Sequence, residues 1–520
     1  MSEPNQQSGP RTAVVAPPAE PPAVPRLFNT LTGRIEELAP ADGKSLRMYA
    51  CGPTVYDYGH IGNFRTFLQV DVLRRFLRLQ GTEVRHVMNV TDVDDKIIRN
   101  AVQAGLPIGE YTRRFEEAFF QDLDALQVEH PEVVARATEN IPAMVSLIQR
   151  LVEQDIAYRT DDGSWYFRIA RFPEYGKLSK KDFTGIADGA RVDVDEYEKD
   201  SARDFALWKA PKPGEHHWQT DLGPGRPGWH IECSAMAMQY LGDSFDLHAG
   251  GEDLMFPHHE NEIAQSESAT HRTFARHWFH VRFLLVENRK MSKSEGNFFT
   301  LRDLLLRGYK PSAIRMLLIS VPYRQQLNFT FEGLAAETVA VERLRTFRER
   351  IETAKWPQSP SGGSVNDSDV DEAARIAVQK FHAALANDLN TAEARAAIFD
   401  LVRFVNAQAD AGRFFEENKP AVRHALRQFD RVFAVLDDHD AEWTGFTLDW
   451  AEREGRLDQA APGLLAARGL SDEGIDALIE ERKKAKLRRD FARADAIRND
   501  LAARGILIED SKDGVRWKRR

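Results

Sequence analysis

The chain has 520 residues, of which 42% are hydrophobic and 29% charged, the balance of a folded globular protein with several domains. No apolar run approaches the roughly 18–20 residues that span a bilayer, so a helical membrane protein is excluded. A net charge of −10 argues against a wholly basic nucleic-acid binder, and 2 cysteines make no disulfide framework.

The first stretch, MSEPNQQSGPRTAVVAPPAEPPAVP, lacks a charged region followed by an apolar core. It carries acids and one Arg, so neither a signal peptide nor an organelle-targeting helix is expected. Its prolines predict a disordered tail, and a cytoplasmic protein is expected. LRMYAC (46–51) reads as a strand stopped by Gly52 and Pro53. In FRTFLQVDVLRRFLRLQG, Phe64, Leu68, Val72 and Phe76 recur every fourth residue, which predicts one helix face closed by Gly81. VRHVMNV (84–90) reads as the next strand, and strand–helix–strand is the unit of a parallel sheet.

Residues 92–225 read as mostly helical and charged, and they interrupt this pattern. It resumes at FDLHAGGEDL (245–254) and HWFHVRFLLV (277–286), which predicts a nucleotide-binding α/β domain split by an insertion. From about 335 the chain is amphipathic and helical, with a Pro/Ser/Gly linker, WPQSPSGGSVNDSD, at 356–369. It ends in one basic helix, EERKKAKLRRDFARADAIRNDLAARG, followed by GVRWKRR. Residues 481–520 hold 14 Lys and Arg against 7 Asp and Glu. A basic end on an acidic body suits a domain that touches a polyanion, or a solvated charged helix with a basic tail.

Three groups of residues carry chemistry. YGHIGNFR (58–65) joins a strand end to a helix start. Gly59 and Gly62 allow close approach of a ligand, the helix offers free N–H groups to phosphate, and His60 can donate to it. Alone, the same turn reads as a capped helix start with a surface His. KMSKS (290–294) sets Lys290 and Lys293 around two hydroxyls, a composition suited to clamping polyphosphate. GWHIECSAM (228–236) and DLMFPHHENEIAQSES (253–268) supply Cys233, His258 and Glu262. His258 and Glu262 are four apart and share a helix face. With Cys51 they make a zinc-type donor set, in which His259 competes with His258.

YGHIGN with KMSKS resembles the HIGH and KMSKS signatures of class I aminoacyl-tRNA synthetases. YACGPTVYDYGHIGN, GWHIECSAM, DLMFPHHENEIAQSE and RKMSKSEGN together resemble the cysteinyl-tRNA synthetase family, from Leu27 to the C-terminus. One departure stands out: Asn63 occupies the position of the second signature His. The resemblance implies an α/β fold with a Rossmann-type parallel-sheet catalytic domain, an inserted connective domain, a helical bundle and a small C-terminal anticodon-binding domain. The expected boundaries are a tail at 1–25, catalytic halves at 26–120 and 226–286, and the insertion at 121–225. The KMSKS loop and stem-contact segment follow at 287–335, the bundle at 336–440 and the anticodon-binding domain at 441–520.

The resemblance also implies one Zn2+ held by Cys51, Cys233, His258 and Glu262, and Mg2+ accompanying ATP. The implied partners are ATP, L-cysteine and tRNA(Cys), with no membrane, and the chain is expected to be a monomer. The reaction expected is cysteinyl-adenylate formation followed by transfer to the tRNA 3′ end. His60, Asn63, Lys290 and Lys293 are the expected catalytic residues. Gly59 and Gly62 join His60, Asn63 and Lys293 around ATP. Gly52, Thr54, Thr91 and Trp229 border the amino-acid pocket, Trp229 reading equally as a core aromatic. Asp253 is read as a contact of the substrate amino group or as a helix N-cap, and Trp517 as a stacking or a core residue. A rival with the same catalytic domain is a cysteine ligase acting on an amino-sugar acceptor, which has no need of the basic C-terminal part. A zinc hydrolase would need an H-E-x-x-H helix, which is absent. A non-catalytic RNA-binding relative would be expected to have lost a KMSKS lysine or a zinc ligand, and none is missing.

Overall fold

Strands buried along their whole length, such as Phe245–Gly251, are the segments from which parallel sheets are built. The computed structural model describes residues 24–181, 191–192, 204–359, 369–468, 472–488, 490–503, 506–511 and 514–519. The proline-rich tail up to residue 23, and positions 360–368 of the expected linker, lie outside the described residues. The central sheet contains β1 (Ser45–Ala50), β2 (Glu83–Val90), β3 (Val133–Arg136), β4 (Phe245–Gly251) and β5 (Ala275–Val281). Their spatial order is β5-β4-β1-β2-β3 and every pairing is parallel. Chain order reverses between β1 and β4, which opens a crevice at the carboxyl ends of those strands.

Helix α1 (Ile61–Leu79) connects β1 to β2. Phe64, Leu68, Val72 and Phe76 are fully buried as their spacing requires, each contributing roughly 1.5–3 kcal/mol. Gly81 beyond its end has φ 84°, a left-handed conformation that glycine adopts without strain. Two buried arginines tie α1 to later parts of the chain. Arg65 donates to the carbonyls of Arg282, Leu318 and Gln325. Arg315 pairs with Asp71 at 2.6 Å and donates to the carbonyls of Leu126 and Phe433. Each guanidinium is buried against acceptors that replace its water.

Two expectations require correction. The span read as a mostly helical insertion contains β3, an edge strand of the central sheet. It also contains a second, largely antiparallel sheet of Ala157–Arg159, Trp165–Phe167, Asp204–Lys209, Trp218–Thr220 and Gly223–Pro227. These strands are too short to show a period of two, and one carries Gly and Pro throughout. The expected single basic helix is two, Asp472–Leu487 and Phe491–Ala503. Asp490 breaks it by accepting the Arg493 N–H at 3.0 Å, the geometry of an N-terminal cap. The chain then closes with the hairpin Ile506–Ser511 and Gly514–Arg519. Trp517 packs there on Ile475, Ile497 and Leu501, and its indole N–H donates to Asp476 at 2.7 Å. That contact favours the core reading of this residue. No described helix is long and apolar enough to cross a membrane.

Candidate active site

The crevice between β1 and β4 collects the chemistry. β1 runs into Cys51–Gly52, and β4 ends in Gly250–Gly251. A Cβ on Gly52 would lie 1.8 Å from the Asn89 carbonyl oxygen, and one on Gly250 would lie 2.6 Å from the His259 ring. Only glycine allows these approaches. Helix α2 (Trp229–Leu241) contributes Cys233. Helix α3 (Glu260–Thr270), entered through the irregular turn Met255–His259, contributes Glu262 and places His258 and His259 before it.

The donor atoms of Cys51, Cys233, His258 and Glu262 all lie within 4.8 Å of one another. Ligand atoms of a tetrahedral zinc stand about 3.5 Å apart, so small side-chain adjustments bring the four to an ion. Cys51, His248, His259 and Glu262 form an overlapping group within the same distance. Each group has outer contacts of its own. His258 Nε2 faces Glu262 Oε1 at 3.1 Å, while its Nδ1 meets His230 Nδ1 at 2.9 Å. The other carboxylate oxygen of Glu262 meets His248 Nε2 at 2.9 Å. Both ligands are thus oriented from behind, as metal-binding imidazoles and carboxylates usually are. His259 stands 3.3 Å from the Cys51 sulfur and turns its Nδ1 to His280 Nε2 at 2.8 Å. The second group would leave the Cys233 sulfur unused.

Electrostatics agree with a bound cation. Burial opposes charge on Glu262, but His248 and His258 outweigh it and hold the carboxyl well below its usual range. Burial likewise opposes charge on Cys233, yet its hydrogen bond with Cys51 and the His258 charge lower its pKa. Burial, then Cys233, pushes the Cys51 thiol up. Burial, then the same two sulfurs, pushes the Tyr49 hydroxyl up, so it remains a proton donor beside them. Although burial opposes it, Cys233 and Glu262 raise the His258 pKa to about 10, so its imidazolium offsets the Cys233 thiolate and the Glu262 carboxylate, a part that a divalent cation can take over. The mixed S, N and O chemistry of the donor set fits zinc. Of the four, Cys51 is the most accessible at 6%, so the set opens towards the crevice on its side.

His60 caps α1 through a reciprocal pair. The Asn63 N–H donates to His60 Nδ1, and the His60 N–H donates to Asn63 Oδ1, both at 3.2 Å. Asn63 thereby closes the cap that begins the helix. Burial, followed by the nearby charge of Lys293, lowers the His60 pKa to about 4. The neutral ring accepts at Nδ1 and carries its proton on Nε2. The space beside Gly59 is filled by the Phe64 ring and that beside Gly62 by the His60 ring, so packing within the turn also demands glycine there.

The KMSKS segment leaves the short hairpin of Leu285–Val286 and Arg289–Lys290. Asn297 braces it, accepting the Ser292 N–H at 2.8 Å and donating to the Lys290 carbonyl at 3.0 Å. Lys290 itself is exposed. Lys293 reaches Asp57 at 2.7 Å, so its ammonium already holds an anion three residues before His60. This pair is exposed and contributes at most about 1 kcal/mol. The Ile61 N–H donates to the Phe299 carbonyl at 3.0 Å, joining the two signature segments directly.

The remaining pocket residues gather nearby. Thr91 donates to Glu232 at 3.0 Å and pairs through its backbone with Thr54, while the Gly52 N–H donates to Asn89 at 2.8 Å. Trp229 is half-buried and stacks on His258 at 4.3 Å. Asp253 is exposed in the short turn Glu252–Leu254, which is capped by Gly251, so Asp253 is not that turn's N-cap. Sequence reasoning missed Asp57, His230, Glu232, His248 and His280. The available signal was their setting: His248 and His280 interrupt apolar strands, where an imidazole needs a partner.

Comparison with known proteins agrees with this arrangement. Residues 37–339 match the class I (C) tRNA synthetase catalytic domain, 380–437 the DALR domain and 468–517 the cysteinyl-tRNA ligase anticodon binding domain. The chain is therefore a class I aminoacyl-tRNA synthetase, an ATP-dependent ligase. A cysteine–tRNA ligase of Koribacter versatilis is 60% identical over 95% of this chain and 99% of its own length. That of Solibacter usitatus is 52% identical over 95% and 99%. The chain belongs to the cysteine–tRNA ligase family. Among solved structures, a methionyl-tRNA synthetase of Mycobacterium tuberculosis superposes with a TM-score of 0.58 at 17% identity, over 78% of this chain and 93% of that one, which is a likeness of fold.

Two outcomes are expected. Cys233→Ser should abolish stoichiometric zinc in elemental analysis together with cysteine activation; full metal content with normal activation would contradict the donor set. Folding lowers the His60 pKa from 6.5 to about 4, so the neutral ring is the stabilising form. Its contribution is complete above about pH 6.5 and is lost as pH falls towards 4. An NMR titration of His60 should give a midpoint near 4, and one near 6.5 would refute the burial of its ring beside Lys293.

Proposed function

We propose that this chain activates L-cysteine with ATP and transfers it to the 3′-terminal adenosine of tRNA(Cys), selecting the amino acid by its sulfur. The observation that carries the reading is the paired-sulfur donor set at the foot of the crevice, beside the turn that carries His60. Cysteine and serine differ by one atom, and ordinary pocket contacts separate such analogues by only roughly 10–200-fold. Zinc held by Cys51, Cys233, His258 and Glu262 supplies a partner that prefers a thiolate to a hydroxyl. Cys51, the most open of the four, borders the pocket, and Trp229, Thr54 and Thr91 line its approach.

In the first step a carboxylate oxygen of cysteine attacks the α-phosphorus of ATP. The bond from the α-phosphorus to the bridging oxygen breaks, and pyrophosphate leaves. His60 Nε2–H and the amide of Asn63 are the proposed donors to the nucleotide. Lys293 exchanges the Asp57 carboxylate for the departing pyrophosphate, and Lys290 adds a second positive charge at the loop's edge. Asp253, exposed beyond β4, is the proposed partner of the substrate ammonium. In the second step the 2′-hydroxyl of the terminal ribose attacks the adenylate carbonyl and AMP leaves. The chain's part is positioning and charge neutralisation, because adenylate is already a good leaving group. A cytoplasmic monomer is the proposed working form. The rival ligase acting on an amino sugar leaves the module at 468–517 without a purpose.

ATP–pyrophosphate exchange with cysteine and with serine, with and without a zinc chelator, tests the reading. Exchange should be strong with cysteine alone and lost on chelation. Serine exchange matching that of cysteine would overturn it. Lys293→Ala should slow exchange by at least about tenfold while cysteine binding stays nearly intact; equal loss of both would remove its assigned role.

A further inference from the structure

The turn at His60 and the segment after the KMSKS loop are gripped from the same side by one helix. That helix, Asp440–Arg453, lies just upstream of the module matched at 468–517. Its Trp450 is buried. The Trp450 Nε1–H donates to the Tyr58 hydroxyl at 3.1 Å, and the rings meet edge-on with centroids 5.3 Å apart. Tyr58 stands two residues before His60.

The helix also reaches the second signature. Arg302 lies two residues after Thr300, which pairs through its backbone with His60. Its guanidinium sits over the rings of Tyr58, Trp450 and Phe446 at 5.1, 4.9 and 5.8 Å. Arg302 Nε donates to buried Asp122 at 2.8 Å, so the charge is compensated while the rings close around it. Further along, Arg456 donates to Asp303 at 2.6 Å and the Ala461 N–H to the Leu306 carbonyl at 2.8 Å. Both acceptors lie in Leu301–Leu306, the helix that follows the KMSKS loop. Leu306, Leu448, Trp450, Ala451 and Ala460 form one small core, with Tyr58 packed against it. Closely packed contacts of this kind transmit displacement, so a shift of Asp440–Arg453 disturbs Tyr58 or Arg302.

We propose that Tyr58 and Trp450 are positioning residues that couple the seating of tRNA on the C-terminal module to the geometry of the His60 turn. The hydrogen bond fixes the rotation of the helix against the turn, and the edge contact fixes its distance. The inference rests on the tRNA-charging reading above and adds residues to it. Adenylate formation proceeds without tRNA, with the His60 turn in the geometry it has before the module is engaged. Charging of tRNA also engages the module, so the contact acts in that reaction.

The test uses the full chain, Trp450→Phe, Tyr58→Phe and the double variant, checked for unchanged thermal midpoints. The RNA probes are full-length tRNA(Cys) and a hairpin of its acceptor stem alone. Trp450→Phe should keep cysteine-dependent exchange and hairpin charging within about twofold, while kcat for full-length tRNA falls about fivefold, the ordinary effect of losing one hydrogen bond. The double variant should be no slower than either single one, because both remove the same bond. Equal losses with hairpin and full-length tRNA, additive losses, or unaltered charging would each overturn the proposal. Absence of cysteine-dependent exchange in the unmodified protein would instead overturn the functional reading on which it rests.

Discussion

Two sulfurs, a carboxylate and an imidazole share one dry corner where β1 and β4 end, and the rest of the site is arranged around that crowding. Buried anions at such short range repel one another and have lost their water, so the corner is stable as a binding place for a cation. The His248 and His258 rings offset this charge and hold Glu262 ionised. The surrounding histidines turn the Glu262 carboxylate and the His258 ring inward and leave the sulfurs facing each other. The opening lies on the Cys51 side, which is also where β1 hands the chain to the nucleotide turn. In the proposed reaction, recognition of the amino acid and cleavage of the nucleotide meet over a few residues of one loop.

The sheet makes that proximity possible. Reversal of strand order between β1 and β4 leaves a crevice at the carboxyl ends of these strands. Glycines at 52 and 250 let the β2 backbone and the His259 ring press in from either side. Only residues 51–60 separate β1 from α1, so the cap formed by His60 and Asn63 is built close to Cys51 in the chain. The hydrogen bond from Ile61 to Phe299 then brings the lysine loop alongside, although it is more than two hundred residues away in the chain. Buried Arg65 and Arg315 hold α1 to the segments that follow, so the turn is fixed from both ends.

Local pattern revealed what depends on local pattern. The four-residue spacing from Phe64 to Phe76 marked α1, and the strands that flank it were readable from their apolar runs. The motif residues around Cys51, Cys233 and Glu262 were recognisable, and resemblance selected His258 over His259. In the structure His230 meets the His258 ring and His280 meets the His259 ring, so both imidazoles are held from behind. What escaped had a non-local cause. Three- to six-residue strands between 157 and 227 acquire their identity from partners rather than from period. The break before Phe491 coincides with an exposed aspartate, Asp490, that accepts the Arg493 N–H as a cap does. Tyr58 and Trp450 are 392 positions apart, and nothing in either neighbourhood signals the other. Asn63 is the instructive departure: an amide substitutes for the usual imidazole in that signature and still completes the cap.

The central claim is that the incoming amino acid is held by its sulfur at the metal. The most direct measurement replaces zinc with cobalt(II), whose thiolate charge-transfer and ligand-field bands report its ligands, and titrates the protein with amino acids. Cysteine should intensify the sulfur charge-transfer band and shift the ligand-field bands, while serine leaves both unchanged. A cobalt spectrum indifferent to saturating cysteine, in protein that still forms the adenylate, would contradict the account.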